Sequence, residues 1–212
     1  MHSNRPTPRQ GDLFAAGLPG RDGGGAAGAD HDLPLQEQQL RQWQRRLLEF
    51  QAPRFAAVAQ GSSLATGQID LFGGAVLGPA ATVQRLDPLA LTARHLQFWR
   101  WPEANHQGAA LYFVLDRPPH LSGHLLLYVG ETNQADRRWK GEHDCKSYLA
   151  SYGETLQQLG LGQQLSIRFW NDAPSETRPR RALEQALIRH WLPPFNKETR
   201  GRWATPFTAD PD

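Results

Sequence analysis

Two short apolar runs constrain this chain most: Leu111-Tyr112-Phe113-Val114-Leu115 and Leu125-Leu126-Leu127-Tyr128-Val129-Gly130. Each is too short for a stable helix and suits a strand. Between them lie Pro118-Pro119 and Ser122-Gly123, which favour a turning loop. The pair therefore predicts a β-hairpin. Thr132 or Asn133 then caps a helix reaching about residue 142. A second helix fits 146–159 and ends before Gly160. Leu165-Ser166-Ile167-Arg168-Phe169-Trp170 alternates apolar and polar side chains, the pattern of a half-buried strand. A last helix begins near Pro179 and must finish before Pro193-Pro194. This order of elements predicts an α+β domain over 108–204, with a small three-stranded antiparallel sheet flanked by helices.

The chain before this domain reads differently. Residues 17–28 are mostly Gly, Ala, Pro and charge, which bury too little apolar surface to offset ordering entropy. Residues 1–32 are expected to form a disordered tail, as are 205–212. Leu40, Trp43, Leu47 and Phe50 recur at helical steps and predict an amphipathic helix within 33–53. Asp32 caps it, and Pro53 is expected to stop it. Residues 54–86 read as a flexible linker and 87–107 as an arm packing on the domain.

Bulk properties narrow the function classes. The formal net charge of +2 does not announce a nucleic-acid binder. The single cysteine, Cys145, rules out an internal disulfide and a cysteine-based zinc site. The first residues lead into no apolar run, and no stretch of about 18 apolar residues occurs. The expectation is a cytoplasmic protein without a membrane partner.

The second half brings together residue types suited to phosphodiester chemistry. Glu184 shares a helical face with Leu187, Ile188 and Trp191, and a carboxylate on an apolar face is costly unless paired or bound to a cation. Oxygen ligands of this kind suit Mg²⁺, which keeps several of its waters. Arg138 carries a permanent charge and can bind phosphate oxygens through two parallel hydrogen bonds. Arg137 beside it competes for that role. Tyr112 and Tyr128 fall on neighbouring strands, where a phenol can handle a proton. His143, with an ordinary pKa near 6.5, is a further base. Asn196 follows the last helix and either fastens the site loop or orients phosphate. Gly130, without a Cβ, permits close backbone approach.

Ala110-Leu111-Tyr112, Tyr128-Val129-Gly130, Arg138, Leu183-Glu184-Gln185-Ala186-Leu187-Ile188 and Pro194-Phe195-Asn196 together resemble the GIY-YIG nuclease domain, as found in excision-repair incision nucleases. The resemblance spans roughly 108–198. Arg138 lies eight positions after Gly130, and Asn196 lies twelve after Glu184, both like the spacings of that domain. Ala110 stands where the family has its first glycine, and Glu131 where the excision-repair relative has a lysine. His143 is five positions past Arg138 rather than four. The resemblance implies a GIY-YIG-like fold and a DNA endonuclease of repair or recombination. It implies one Mg²⁺ (or Mn²⁺) per site, held by Glu184, with Arg138 on the scissile phosphate. Tyr112, Tyr128 or His143 would accept the proton. Arg137, Lys140 and Lys146, and a second group of Arg178, Arg180, Arg181 and Arg189, would contact DNA. The three departures support an alternative, a catalytically weakened module that binds DNA or protein.

A separate signal lies near the start. Gln10-Gly11-Asp12-Leu13-Phe14 and Gln68-Ile69-Asp70-Leu71-Phe72 share the pattern Gln-x-Asp-Leu-Phe. It resembles the peptide by which bacterial repair proteins dock on the sliding clamp. Leu13, Phe14, Leu71 and Phe72 would fill an apolar pocket, with Gln10 and Gln68 at its rim. Two copies would add avidity where the linkers span neighbouring sites.

Overall fold

In the computed structural model, residues 37–61, 78–97, 108–134 and 144–205 are described, all within one compact unit, Leu35–Asp212. Strand β1 (Ala110–Asp116) is buried at every position. Its seven residues carry one acid, Asp116, at the far end. Such a run suits the middle of a sheet covered on both faces. It pairs antiparallel with β2 (Leu125–Thr132) on one side and with β3 (Ser166–Trp170) on the other, giving the order β2-β1-β3. The expected three-stranded antiparallel α+β sheet is present, and the hairpin register shifts once, between Val114 and Leu115.

Helix α1 (Glu37–Gln60) is longer than the sequence predicts, because Pro53 lies inside it. An internal proline costs about 3 kcal/mol through its missing N–H and its clash with the preceding turn. Two effects offset this. Arg54 Nη1 donates to the Phe50 carbonyl at 2.6 Å, serving an acceptor in the disturbed turn. Beyond the proline, Phe55 and Val58 are buried, a gain of about 1.5–3 kcal/mol for each side chain. The helix also joins two cores. Leu40, Trp43 and Leu47 pack with Tyr112, Val114, Leu125, Leu127 and Phe169. Phe55 and Val58 pack with Leu111, Phe113, Leu126, Val129 and Trp191. Residues 54–60 and α2 (Pro79–Arg85) are thus helical where a linker was expected.

Helix α3 (Asp144–Gln158) covers the first core and α4 (Thr177–Trp191) the second, near their expected positions. Leu192 ends α4 in the left-handed region at φ 47°, and its carbonyl accepts from Trp203 Nε1 at 2.7 Å. The described part of the expected arm begins with a short 3-10 turn, Pro88–Ala90, and the carbonyls of Leu89 and Leu91 take Arg168 Nη1 at 2.6 and 3.0 Å; residues 98–107 lie outside the described residues. Arg94 then pairs with Ile167 on the outer edge of β3.

The outer edge of β2 is closed by other parts of the chain. Gln51 accepts from Leu126 N–H at 2.8 Å and donates to Leu126 O at 3.0 Å. Phe195 N–H donates to Leu127 O at 3.0 Å. Asn196 Oδ1 accepts from Val129 N–H at 3.0 Å, and its Nδ2 donates to Val129 O at 2.8 Å. An open strand edge is a template for wrong pairing, and each of these contacts blocks it.

Candidate active site

The closed edge of β2 is also where the candidate residues meet. Tyr112 sits opposite Gly130 in the β1–β2 register, and Tyr128 sits opposite Val114. Both phenols lie on the face covered by the first core, with ring centroids 5.9 Å apart and planes 30° from parallel. The Tyr112 ring lies directly across Gly130. A Cβ at that position would collide with the phenol carbon and oxygen of Tyr112. Gly130 is therefore needed for the tyrosine's seat, a tighter reason than substrate approach.

Glu184 rides on α4, whose Leu183, Leu187, Ile188 and Trp191 pack on the opposite face of the sheet. The carboxylate itself does not go under that face. It accepts a hydrogen bond from the backbone N–H of Glu131, at the end of β2, and it lies near enough to Tyr128 to act on its ionisation. So Glu184 and Asn196 both engage the outer backbone of β2, at Glu131 and Val129, although α4 and the phenols belong to different cores.

The electrostatics of this edge are unusual. Burial pushes the Glu184 carboxyl up to about 7, and the negative charge of Glu131 adds to the shift. Glu198 works the same way, while the Glu131 N–H and Arg181 oppose it. Glu131 does not float beside the site. Its Oε2 takes Arg180 Nε at 2.7 Å and its Oε1 takes Arg181 Nε at 3.3 Å. Tyr128 is held well above the usual phenol range, by burial first and then by Tyr112, Cys145 and Glu184. At neutral pH it is a hydrogen-bond donor rather than a base.

These facts sort the sequence-predicted residues. Tyr112, Tyr128 and Gly130 pack together, while Glu184 and Asn196 engage the backbone of the same strand at Glu131 and Val129. Asn196 uses both side-chain groups on Val129, so its role is fastening the turn to β2. Arg180, expected to contact DNA, is only 1% exposed and is committed to Glu131 and to the carbonyls of Pro174 and Ser175. A guanidinium so enclosed cannot reach a phosphate. Arg178, Arg181 and Arg189 are exposed on α4, and Lys146 is half-buried on α3. Arg137, Arg138, Lys140 and His143 lie outside the described residues, as do both Gln-x-Asp-Leu-Phe segments.

The donor set suits a hard cation. A single carboxylate kept partly protonated by burial first, and by a second acid after it, gains from a nearby positive charge. Mg²⁺ needs only one or two carboxylates from protein. Among the described residues, no group of three or more His, Cys, Asp or Glu side chains gathers into a cage. Glu184 is a carboxylate that could hold such an ion, with water completing its shell.

Sequence reasoning missed Gln51 and Arg54. A signal for the first existed: Gln44 and Gln51 share the apolar stripe of α1 with Leu40, Trp43 and Leu47, and a polar group there must find a buried partner. The chain matches no family model, no curated protein and no solved structure. Among the described residues, no helix is long and apolar enough to cross a membrane.

Proposed function

We propose that this protein is a metal-dependent DNA endonuclease of the GIY-YIG type, acting in repair or recombination. The observation that carries the reading is the placement of the Glu184 carboxylate. It reaches the Glu131 amide at the end of β2, within electrostatic range of the Tyr128 phenol. When bound, a divalent cation supplies Lewis-acid stabilisation of the scissile phosphate and leaving oxygen. Glu184 holds that ion. Arg138 neutralises charge growing on the phosphate oxygens. Tyr128, kept neutral, donates a hydrogen bond to phosphate or to the attacking water. Tyr112 fixes the Tyr128 phenol by packing against it. With Tyr128 a donor, the water's proton passes to His143, directly ahead of α3 in sequence. A substrate phosphate meeting this edge loses the bond to one of its bridging oxygens as the water oxygen attacks in line.

The test is cleavage of branched and nicked DNA with Mg²⁺ or Mn²⁺, wild type beside Glu184→Ala. Metal-dependent cutting lost in the variant supports the reading. Equal cutting by both rejects it. A second reading, a nuclease-like fold kept only to bind DNA or protein, is favoured by one observation. Glu131 draws Arg181 to itself, an exposed cation that would otherwise be free to face a phosphate. Binding without cutting by the wild type would select it.

The two Gln-x-Asp-Leu-Phe segments are proposed as sliding-clamp ligands. Replacing Leu13, Phe14, Leu71 and Phe72 by Ala should abolish clamp binding. Unchanged binding removes the assignment.

A further inference from the structure

Two like charges are held together on the far side of the turn that carries Asn196. The Arg54 guanidinium carbon stands 3.6 Å from the centroid of the Phe50 ring, and that of Arg202 stands 5.7 Å from the same centroid. The Arg54 pKa is lowered by burial first and by the like charge of Arg202 second. Neither guanidinium makes an ion pair with an acid among the described residues. Arg46 is exposed one helical turn before Phe50 on α1 and likewise makes none. Glu49, on the adjacent helical row, pairs with none of the three.

Such an arrangement costs electrostatic energy, so something must hold it. Arg54 is tied by Nε to the His190 carbonyl at 3.0 Å and by Nη1 to the Phe50 carbonyl at 2.6 Å. Trp203 meets the edge of Phe50 at 5.5 Å and donates to Leu192 O. Arg202 sits between two hydrogen-bonded turns, its N–H on Thr199 O at 3.1 Å. Arg54 is thus fixed by its side chain, and the backbone hold on Arg202 keeps its exposed guanidinium over the same ring.

We infer that Arg54 and Arg202, with Arg46 beside them, form a phosphate-binding surface for the backbone of a nucleic acid. Two guanidiniums without carboxylates are matched by an anion that can accept from both, and phosphodiester oxygens do so without reading sequence. The choice of DNA as the source of phosphate rests on the proposed endonuclease reading. The 196–203 turn begins at Asn196, pinned to β2 beside Glu184, and ends at Trp203 under Phe50. One hydrogen-bonded turn thus joins the surface to the candidate site, so a duplex arm leaving that site would meet it.

The measurement is fluorescence anisotropy of labelled branched DNA with Glu184→Ala protein, titrated at several salt concentrations. Adding Arg202→Glu should weaken binding about tenfold or more and lower the slope of log K against log salt by about one for each phosphate no longer held. Arg54→Gln and Arg46→Glu should act in the same direction. Arg45→Glu, an equal charge change elsewhere on α1, should leave binding near the parent value. Arg202 is exposed, so its variant decides the matter should Arg54→Gln fail to fold. Parent-like affinity and salt slope in Arg202→Glu overturn the inference, and so does failure of the parent to bind DNA. Wild-type protein that binds through this surface without cutting would reject the nuclease reading alone.

Discussion

Gly130 shows how one missing methyl group sets the geometry of the candidate site. Its neighbour Tyr112 is 1% exposed on the central strand and has nowhere to retreat. Gly130→Ala should therefore lose about 1–3 kcal/mol in urea unfolding. In a Tyr112→Leu background the same change should cost clearly less. Equal costs in both backgrounds would contradict the close approach of ring and glycine. Glu184 carries a second consequence at this scale. Its folded-state pKa is raised from 4.5 to about 7, so the folded protein binds this proton more tightly than the unfolded chain. Its contribution is favourable at low pH and is lost as pH rises through that window. Metal-free Glu184→Gln, which keeps an acceptor for the Glu131 N–H, should be more stable than wild type at pH 8 by about 1 kcal/mol, allowing for partial solvent screening. The advantage should vanish at pH 4. An equal difference at both pH values would show that burial and Glu131 do not act on this carboxylate.

Among the elements, β2 depends on side chains where a fourth strand would otherwise stand. Gln51 serves the Leu126 N–H and carbonyl and the Trp191 carbonyl at 3.2 Å. Gln51→Leu leaves these buried groups without partners and should cost about 2–4 kcal/mol in denaturant unfolding. A loss below 1 kcal/mol would mean the edge is satisfied another way. The three strands were legible because their pattern is local: alternation in Leu165–Trp170 and an unbroken apolar run in β1. The full length of α1 was not. A local rule stops a helix at Pro53, and the compensation comes from the Arg54 side chain and from Phe55 and Val58 burying against residues far along the chain. The candidate site was legible in part for the same reason. Glu184 and Gly130 mark themselves, one as an acid on an apolar face and one as a glycine in a strand. The engagement of Arg180 by Glu131, 49 positions away, left no mark in the local sequence.

At the scale of the molecule, α1 belongs with the sheet and is not an appendage. It lends Leu40, Trp43 and Leu47 to one core and Phe55 and Val58 to the other, so residues 108–204 cannot close either core alone. A chain beginning at residue 35 should unfold cooperatively, whereas one beginning at residue 108 should bind hydrophobic dye and lack a sharp thermal transition. A cooperative, dye-free transition in the shorter chain would refute this view. The unit as a whole is read as a scaffold that delivers one carboxylate to the edge of β2 for a divalent ion. The most direct test is the single-turnover rate of branched-DNA cleavage as Mg²⁺ is raised, at pH 6 and at pH 8. Protonation of Glu184 near pH 7 should raise the half-saturating Mg²⁺ concentration at pH 6 by about tenfold, and Glu184→Gln should not cut at either pH. Cleavage by Glu184→Gln at the wild-type rate, with the same Mg²⁺ dependence, would contradict the account.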